Sequence, residues 1–159
     1  MTPAPAGGPS GVPWANVRPW RNNNPLDLRC LNAPERWGGQ AGIDDSPGGP
    51  FAIFSDRTMG WRAGAVCLLA YQDLHGLRTV RGIIDRWAPP SDNNPTDAYV
   101  EFVAHRLGVQ PDTTIDLHDG MTMLGLVTAI SVEEGGAEIR WPQSEKVAGL
   151  QAAGLTGIV

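Results

Sequence analysis

The feature that most constrains the fold is a change of hydrophobic pattern at Ser55. Before it, from Trp14 to Phe54, apolar residues show no helical periodicity and fall into short alternating pieces, LDLRCL and FAIF, separated by the turn-rich stretches GGQAG and DDSPGGP. After it, apolar residues recur at helical spacing, and glycines and prolines separate successive segments. The sequence therefore predicts a mainly α protein with a small antiparallel β insert near its N-terminus.

Capping residues predict where the helical segments begin and end. The first segment follows Ser55, should end at Gly76 and should bury one apolar stripe. That stripe comprises Met59, Ala63, Val66, Ala70 and Leu74. Thr79 should cap the second segment, TVRGIIDRW, and Asn94 should cap the third, with Pro95 at its first position. The last segment is SEKVAGLQAAG.

Length and composition predict one folded domain and exclude several protein classes. With 159 residues, of which 42% are hydrophobic, the chain can bury one sizeable core; residues 14–159 should form it, after a disordered Pro/Gly tail over residues 1–13. The longest apolar run is too short for a membrane span, and no secretory signal is expected. A net charge of -5 without a Lys/Arg cluster argues against nucleic-acid binding. Neither the cysteines Cys30 and Cys67 nor the three histidines show metal-ligand spacing, so no metal or cofactor is expected.

Two adjacent glutamates form the most informative chemical feature. They end the fourth helical segment, which should start at Asp116 and bury a stripe through Val127 and Ile130. The helix macrodipole, repulsion between Glu133 and Glu134, and partial burial would all raise a carboxyl pKa there, and a raised pKa suits a general acid. Glu134 continues the buried stripe whereas Glu133 leans off it, so Glu134 is the candidate for a cleft. A solvated helix end is the alternative.

Amide side chains give a second signal, because they suit the recognition of an uncharged polar polymer such as a glycan. Three of them precede a proline in WRNNNPLDLR: Asn22, Asn23 and Asn24. A similar segment, RWAPPSDNNPT, contains Asn93 beside Trp87. Among the tryptophans, Trp61 should pack in the core, whereas Trp37, Trp87 and Trp141 flank loops and could stack on sugar rings. Ordinary Asn-rich turns and an aromatic cover over the core are the alternatives.

Five motifs follow one another along the chain: RNNNPLDLR, WGGQAGIDD, FAIF with GWRA, RWAPPSDNNPTDAY, and AISVEEGG. Over about Arg21 to Leu155, this series resembles phage virion proteins and endolysins, described as structural or lysozyme-like, whose members cleave peptidoglycan. The resemblance implies a lysozyme-like α+β catalytic domain over residues 14–159. It also implies a circular permutation, because the glutamate helix comes late and the Asn-rich region first.

Carried over position by position, the resemblance implies that Glu134 of AISVEEGG is the catalytic acid and that Tyr99 lies near the cleft. Gln40 of WGGQAG joins the asparagines, Trp87 and Tyr99 as expected substrate-binding residues. The chain departs from the family at Leu26-Asp27, where Gly-Asn is usual, and after the glutamate, where Gly135-Gly136 stands in place of Asn-Gly.

The implied function is cleavage of glycan strands between N-acetylmuramic acid and N-acetylglucosamine, as a lytic transglycosylase or muramidase. Glu134 would protonate the leaving glycosidic oxygen. Hydrolysis would require a second carboxylate, for which Asp44, Asp45 and Asp92 are candidates, whereas transglycosylation would use the sugar's own 6-hydroxyl and is the favoured interpretation.

Two rival functions belong to other classes. One is a non-catalytic virion structural or cell-wall-binding protein with the same fold, and the other is a metal-dependent wall peptidase or amidase. The resemblance implies synthesis in the host cytoplasm and action in the periplasm or cell wall, or carriage in the virion. Its partners would be peptidoglycan glycan strands and other virion proteins, with no membrane insertion.

Overall fold

The computed structural model describes residues 12–30 and 37–159. In this part of the chain six helices and one two-stranded sheet follow in the order α1 (Arg18–Arg21), β1 (Gln40–Asp44), β2 (Phe51–Phe54), α2 (Arg57–His75), α3 (Val80–Trp87), α4 (Thr96–Leu107), α5 (Gly120–Gly135) and α6 (Gln143–Ala152). Short 3-10 turns cover Pro13–Asn16 and Pro90–Asp92. The predicted mainly helical fold with a small antiparallel sheet is confirmed.

A tail was predicted over residues 1–13, of which residues 1–11 lie outside the described part of the chain. Its last residue, Pro13, opens the first 3-10 turn, and Val12 packs against an apolar cluster formed by Trp14, Trp20 and Ile139. Residues 12 and 13 therefore belong to the folded part of the chain rather than to the predicted tail.

The β hairpin differs from the prediction in one strand. FAIF is β2, but it pairs with Gln40–Asp44, which includes part of the stretch that was expected to be a turn. The LDLR segment instead forms a single bridge, from Arg29 to Phe51. Its polar backbone groups are satisfied by a side chain, because Asn24 Nδ2 donates to the carbonyl oxygens of Leu28 and Ala52 at 2.9 Å and Asn24 Oδ1 accepts from the Leu28 amide. These bonds add to two backbone hydrogen bonds that join the segment to the hairpin, from the Ala52 amide to the Leu28 carbonyl at 2.9 Å and from the Cys30 amide to the Pro50 carbonyl at 3.0 Å.

Three helix ends follow from local capping, as the sequence predicts. Gly76 and Gly108 adopt the left-handed conformation after α2 and α4, with φ of 66° and 71°. Thr79 caps α3 by accepting a hydrogen bond from the Gly82 amide.

Two predicted helix starts are wrong. Asn94 does not cap α4, because its side chain turns back and donates to the Pro89 carbonyl at 3.0 Å. The fourth predicted segment starts at Gly120 rather than Asp116, because Asp119 provides the cap. The Asp116 carboxylate is instead engaged by Gln72, whose side chain donates to it at 2.8 Å.

The buried face of α2 also differs from the predicted stripe. Of the predicted stripe, Ala63 is fully buried and Met59 packs against the core, but Leu74 is 76% exposed. The other fully buried side chains include Trp61, Ala65 and Leu68, which the stripe did not contain. The helix is oriented by close approach of its neighbour α6, since a Cβ at Gly149 would collide with Trp61. Packing between helices, rather than the best single stripe in the sequence, decides which face is buried.

None of the helices in the described part of the chain is long and apolar enough to cross a bilayer.

Candidate active site

A cleft of about 510 Å³ contains the predicted acid in its wall. It is lined by residues 26–30 and the hairpin side chain Phe51, by α2, and by residues 86–89 at the end of α3. Glu134, in the last turn of α5, completes the lining. The volume of the cleft lies within the range of small-molecule sites in proteins.

The two glutamates at the end of α5 have different surroundings. Glu133 is exposed, whereas Glu134 is partly buried and lines the cleft. Burial raises the pKa of Glu134 to about 7, and the negative charges of Asp27 and Glu133 act in the same direction. The positive charge of Arg18 and a hydrogen bond from Tyr99 oppose this rise. The Glu134 carboxyl is therefore divided between its acid and base forms near neutral pH, as proton transfer in both directions requires.

Tyr99 positions the Glu134 carboxyl through a hydrogen bond. Its hydroxyl donates to Glu134 Oε2 at 2.9 Å, and the residue is 4% exposed. Burial raises the pKa of the Tyr99 phenol, so the hydroxyl keeps its proton and remains a donor. Tyr99 does not contribute to the described cleft lining, so the structure gives it a positioning geometry rather than a substrate contact.

Asp27 is a cleft carboxylate that the sequence analysis noted only as a departure from the family pattern. Its side chain is 4% exposed and accepts hydrogen bonds from Arg18 Nε and Nη2, at 3.0 Å to Oδ1 and 2.7 Å to Oδ2. The Arg18 guanidinium in turn lies 3.7 Å from the centroid of the Phe51 ring. Asp27 takes a left-handed φ of 54°, which aspartate tolerates better than most residues. A carboxylate between two leucines is the signal that could have marked it.

The predicted second carboxylates fall into three different settings. Asp44 is partly buried, and hydrogen bonds from Ser46, Asn22 and Arg21 outweigh burial and hold its pKa well below the ordinary value. Asp45 is exposed and outside the cleft lining. Asp92 alone of the three lines the cleft, where it pairs with Arg29 at 3.9 Å.

The structure does not bring the asparagine triplet to the cleft. Asn22 Nδ2 donates to Asp44 at 2.8 Å, Asn23 Nδ2 donates to the Phe54 carbonyl at 3.0 Å, and Asn24 brackets the backbone of residues 24–28 and β2. The three amides tie the end of α1 to the hairpin. Their Nδ2 donors are used inside the fold, and the Oδ1 atoms of Asn22 and Asn23 are buried without a described hydrogen-bond partner, so the triplet does not form the predicted glycan surface at this cleft.

Gln40 and Asn93 also lie outside the described cleft lining. Gln40 Nε2 donates to the Gly42 carbonyl at 3.3 Å and contacts Cys30 Sγ at 3.6 Å. Asn93 is exposed and closes the 3-10 turn at Pro90–Asp92 in a left-handed conformation, with φ of 61°. Its neighbour Asn94 lines the cleft instead.

The loop-flanking tryptophans divide between the cleft and the interior. Trp37 and Trp87 line the cleft, and Trp37 is held by a hydrogen bond from its indole to the Arg29 carbonyl at 2.9 Å. Trp141 packs against Trp20 and Trp61, with ring centroids 5.0 and 5.5 Å apart. Of the predicted substrate-binding residues, only Trp87 therefore lines the cleft.

Within the residues that the structure describes, no group of three or more histidine, cysteine, aspartate or glutamate side chains is arranged to hold a metal ion.

Comparison with known proteins connects the chain to bacteriophages. No family model matches it. It is 39% identical over 94 residues to Protein P5 of Pseudoalteromonas phage PM2, a match that covers 58% of this chain and 57% of that protein. The chain thus matches little more than half of the length of this relative, and the predicted similarity to a bacteriophage protein is confirmed.

Proposed function

We propose that this protein cleaves peptidoglycan glycan strands between N-acetylmuramic acid and N-acetylglucosamine, with Glu134 as the general acid. The observation that carries the proposal is the partly buried Glu134 carboxyl, with a pKa of about 7, in the wall of a 510 Å³ cleft. A carboxylic acid that keeps its proton near neutral pH is what protonation of a glycosidic oxygen requires.

In the proposed reaction, Glu134 gives its proton to the bridging oxygen as the bond between that oxygen and the anomeric carbon breaks. Positive charge develops on the N-acetylmuramic acid ring, and the Glu134 carboxylate left behind keeps the hydrogen bond from Tyr99. The carboxylate then takes a proton from the nucleophile as the nucleophile bonds to the anomeric carbon, which returns Glu134 to its starting state.

We propose the sugar's own 6-hydroxyl as this nucleophile, which makes the reaction a lytic transglycosylation. Two further carboxylates line the described cleft, and both are engaged: Asp27 accepts hydrogen bonds from Arg18 on both oxygens, and the exposed Asp92 pairs with Arg29. Both Asp27 oxygens are occupied by Arg18, and Asp92 is an exposed side chain at the rim, so neither is a free carboxylate held in place to activate a water. A route that needs only Glu134 therefore fits these contacts better than two-carboxylate hydrolysis.

The proposed fold is a lysozyme-like domain with circularly permuted chain order. It is supported by a mainly helical chain whose small hairpin borders the cleft, and by the early position of the Asn-rich segment relative to α5. Similarity to a phage protein supports a bacteriophage context, in which the proposed enzyme would act on the host cell wall, whether released from the host cytoplasm or carried in the virion. Its proposed partners are bacterial glycan strands and other virion proteins.

The test is release of soluble fragments from dye-labelled sacculi by three proteins: wild type, Glu134→Gln and Glu133→Gln. Glu133 is the matched control, because it is the exposed neighbour at the same helix end. We expect wild type and Glu133→Gln to release dye at similar rates and Glu134→Gln to be at least about 100-fold slower. Equal rates for wild type and Glu134→Gln would remove Glu134 as the acid.

Two other outcomes would replace the proposed function. Sedimentation of wild type with the sacculi without dye release would indicate a wall-binding protein. Loss of release on adding a chelator would indicate a metal-dependent peptidase or amidase.

A further inference from the structure

The arginines of the cleft differ in whether a carboxylate is paired with them. Three of its lining residues are arginines. Arg18 is paired with Asp27 at 2.7 Å and Arg29 with Asp92 at 3.9 Å. Arg86 also lines the cleft, and no described carboxylate lies within ion-pair distance of it.

Aromatic side chains hold Arg86 in place. Its guanidinium lies 5.2 Å from the centroid of the Tyr71 ring, and that ring packs against Trp87 with centroids 6.3 Å apart. All three side chains line the cleft, and together they are called the Arg86 arm. A guanidinium over an aromatic ring keeps its charge, and its fork of N–H donors matches a planar acceptor such as a carboxylate.

A neutral glycan gives no reason for an arginine of this kind in its binding cleft. Peptidoglycan differs from neutral glycans because its muramic acid residues bear stem peptides, which carry free carboxylates. In a protein with net charge -5, a cation without a described ion-pair partner next to the reacting strand favours that anionic part of the substrate.

We propose that the Arg86 arm binds a carboxylate of the stem peptide, with Arg86 as the paired cation and the Tyr71 and Trp87 rings as its support. This inference rests on the proposed function and deepens it by naming the part of the substrate that sets specificity. The enzyme then prefers strands that carry charged peptides over strands that do not. Because the stem peptide takes no part in the bond that breaks, we expect the contact to be equally strong in the ground state and the transition state, so that it acts on KM and leaves kcat nearly unchanged.

The test compares native soluble strands with strands whose carboxyl groups have been converted to methylamides, a change that removes charge and leaves the glycan intact. Wild type should lose roughly tenfold in kcat/KM on the amidated strands, the effect of one partly exposed charge-assisted hydrogen bond. On native strands, the kcat/KM of Arg86→Gln should already be about tenfold below that of wild type, and amidation should not lower it further.

Arg106→Gln is the matched control. Arg106 also lies over an aromatic ring, 5.6 Å from the centroid of Phe102, but it is outside the described cleft lining. It should behave as wild type on both substrates. If Arg86→Gln keeps the wild-type preference for native strands, or if wild type has no preference, the proposed role of the arm is wrong even where strands are cleaved.

Binding separates this inference from the proposed cleavage. Dissociation constants for native and amidated strands are measured with Glu134→Gln, alone and combined with Arg86→Gln. A roughly tenfold charge preference that disappears with Arg86→Gln supports the arm even if wild type cleaves nothing. Equal affinities for native and amidated strands overturn it even if wild type is an active enzyme.

Discussion

Replacing Glu134 with glutamine should stabilise the fold at and above neutral pH. An unfolded glutamate ionises near pH 4.5, whereas Glu134 in the folded protein ionises near pH 7. Between these values the folded state still holds a proton that the unfolded state has lost, so stability falls as pH rises. The stabilising contribution is complete below about pH 4.5 and is lost once pH exceeds the pKa of the folded protein.

The size of the effect follows from the same two values. The interval from 4.5 to about 7, at 1.36 kcal/mol per unit, sets an upper limit of roughly 3 kcal/mol. Glutamine has the same shape, carries no charge and can still accept a hydrogen bond from Tyr99. We therefore expect Glu134→Gln to gain about 1–3 kcal/mol in the free energy of unfolding above pH 7 and close to nothing near pH 4.

Urea unfolding of wild type, Glu134→Gln and Glu133→Gln at several pH values measures this difference. The two glutamates share one helix end and its macrodipole, and burial raises the pKa of both, with the larger shift at Glu134, so the excess gain of Glu134→Gln over Glu133→Gln reports the deeper burial of that carboxyl. Equal curves for the two variants, or a Glu134→Gln protein that is less stable at every pH, would refute the reasoning.

Three further changes test other contacts. Tyr99→Phe removes a donor that favours ionised Glu134, so the alkaline limb of the pH–rate profile should move up by about 0.7 units while the maximal rate falls; a downward shift would contradict the assignment. Gly60→Ala should cost at least about 3 kcal/mol in urea unfolding because its Cβ would overlap a backbone carbonyl, whereas Gly125→Ala in α5 should be neutral or slightly stabilising. Asn24→Ala should cost about 2–4 kcal/mol in the same assay, because it removes three buried hydrogen bonds, although the Leu28 carbonyl keeps the one from the Ala52 amide; a cost below 1 kcal/mol would argue against this role of Asn24.

Local signals predicted the parts of the structure that depend on local chemistry. Gly76 and Gly108 end helices because the left-handed cap is a property of a few adjacent residues. The inward direction of Glu134 followed from helical periodicity through Val127 and Ile130, both fully buried. The acid candidate was accessible from sequence for this reason.

Features that depend on distant partners could not be predicted in the same way. The pairing of β1 with β2 places Asp44 opposite Phe51. The residues of GGQAG contain no local signal that this segment pairs with FAIF. An asparagine triplet reveals hydrogen-bonding capacity but not where it is used, and Asn24 uses it on Leu28 and Ala52. Asp27 could not be assigned to the site from sequence, because its place there depends on the pairing with Arg18, nine residues earlier, and on the fold that brings both residues to the cleft.

The measurement that tests the central claim most directly is mass spectrometry of the soluble products from purified sacculi treated with wild type and with Glu134→Gln. The account predicts fragments ending in 1,6-anhydromuramic acid from wild type and their loss from the variant, since Glu134 alone supplies and recovers the proton. Reducing-end fragments would keep Glu134 as the acid but contradict transglycosylation. Identical fragments from the two proteins would contradict the central claim itself.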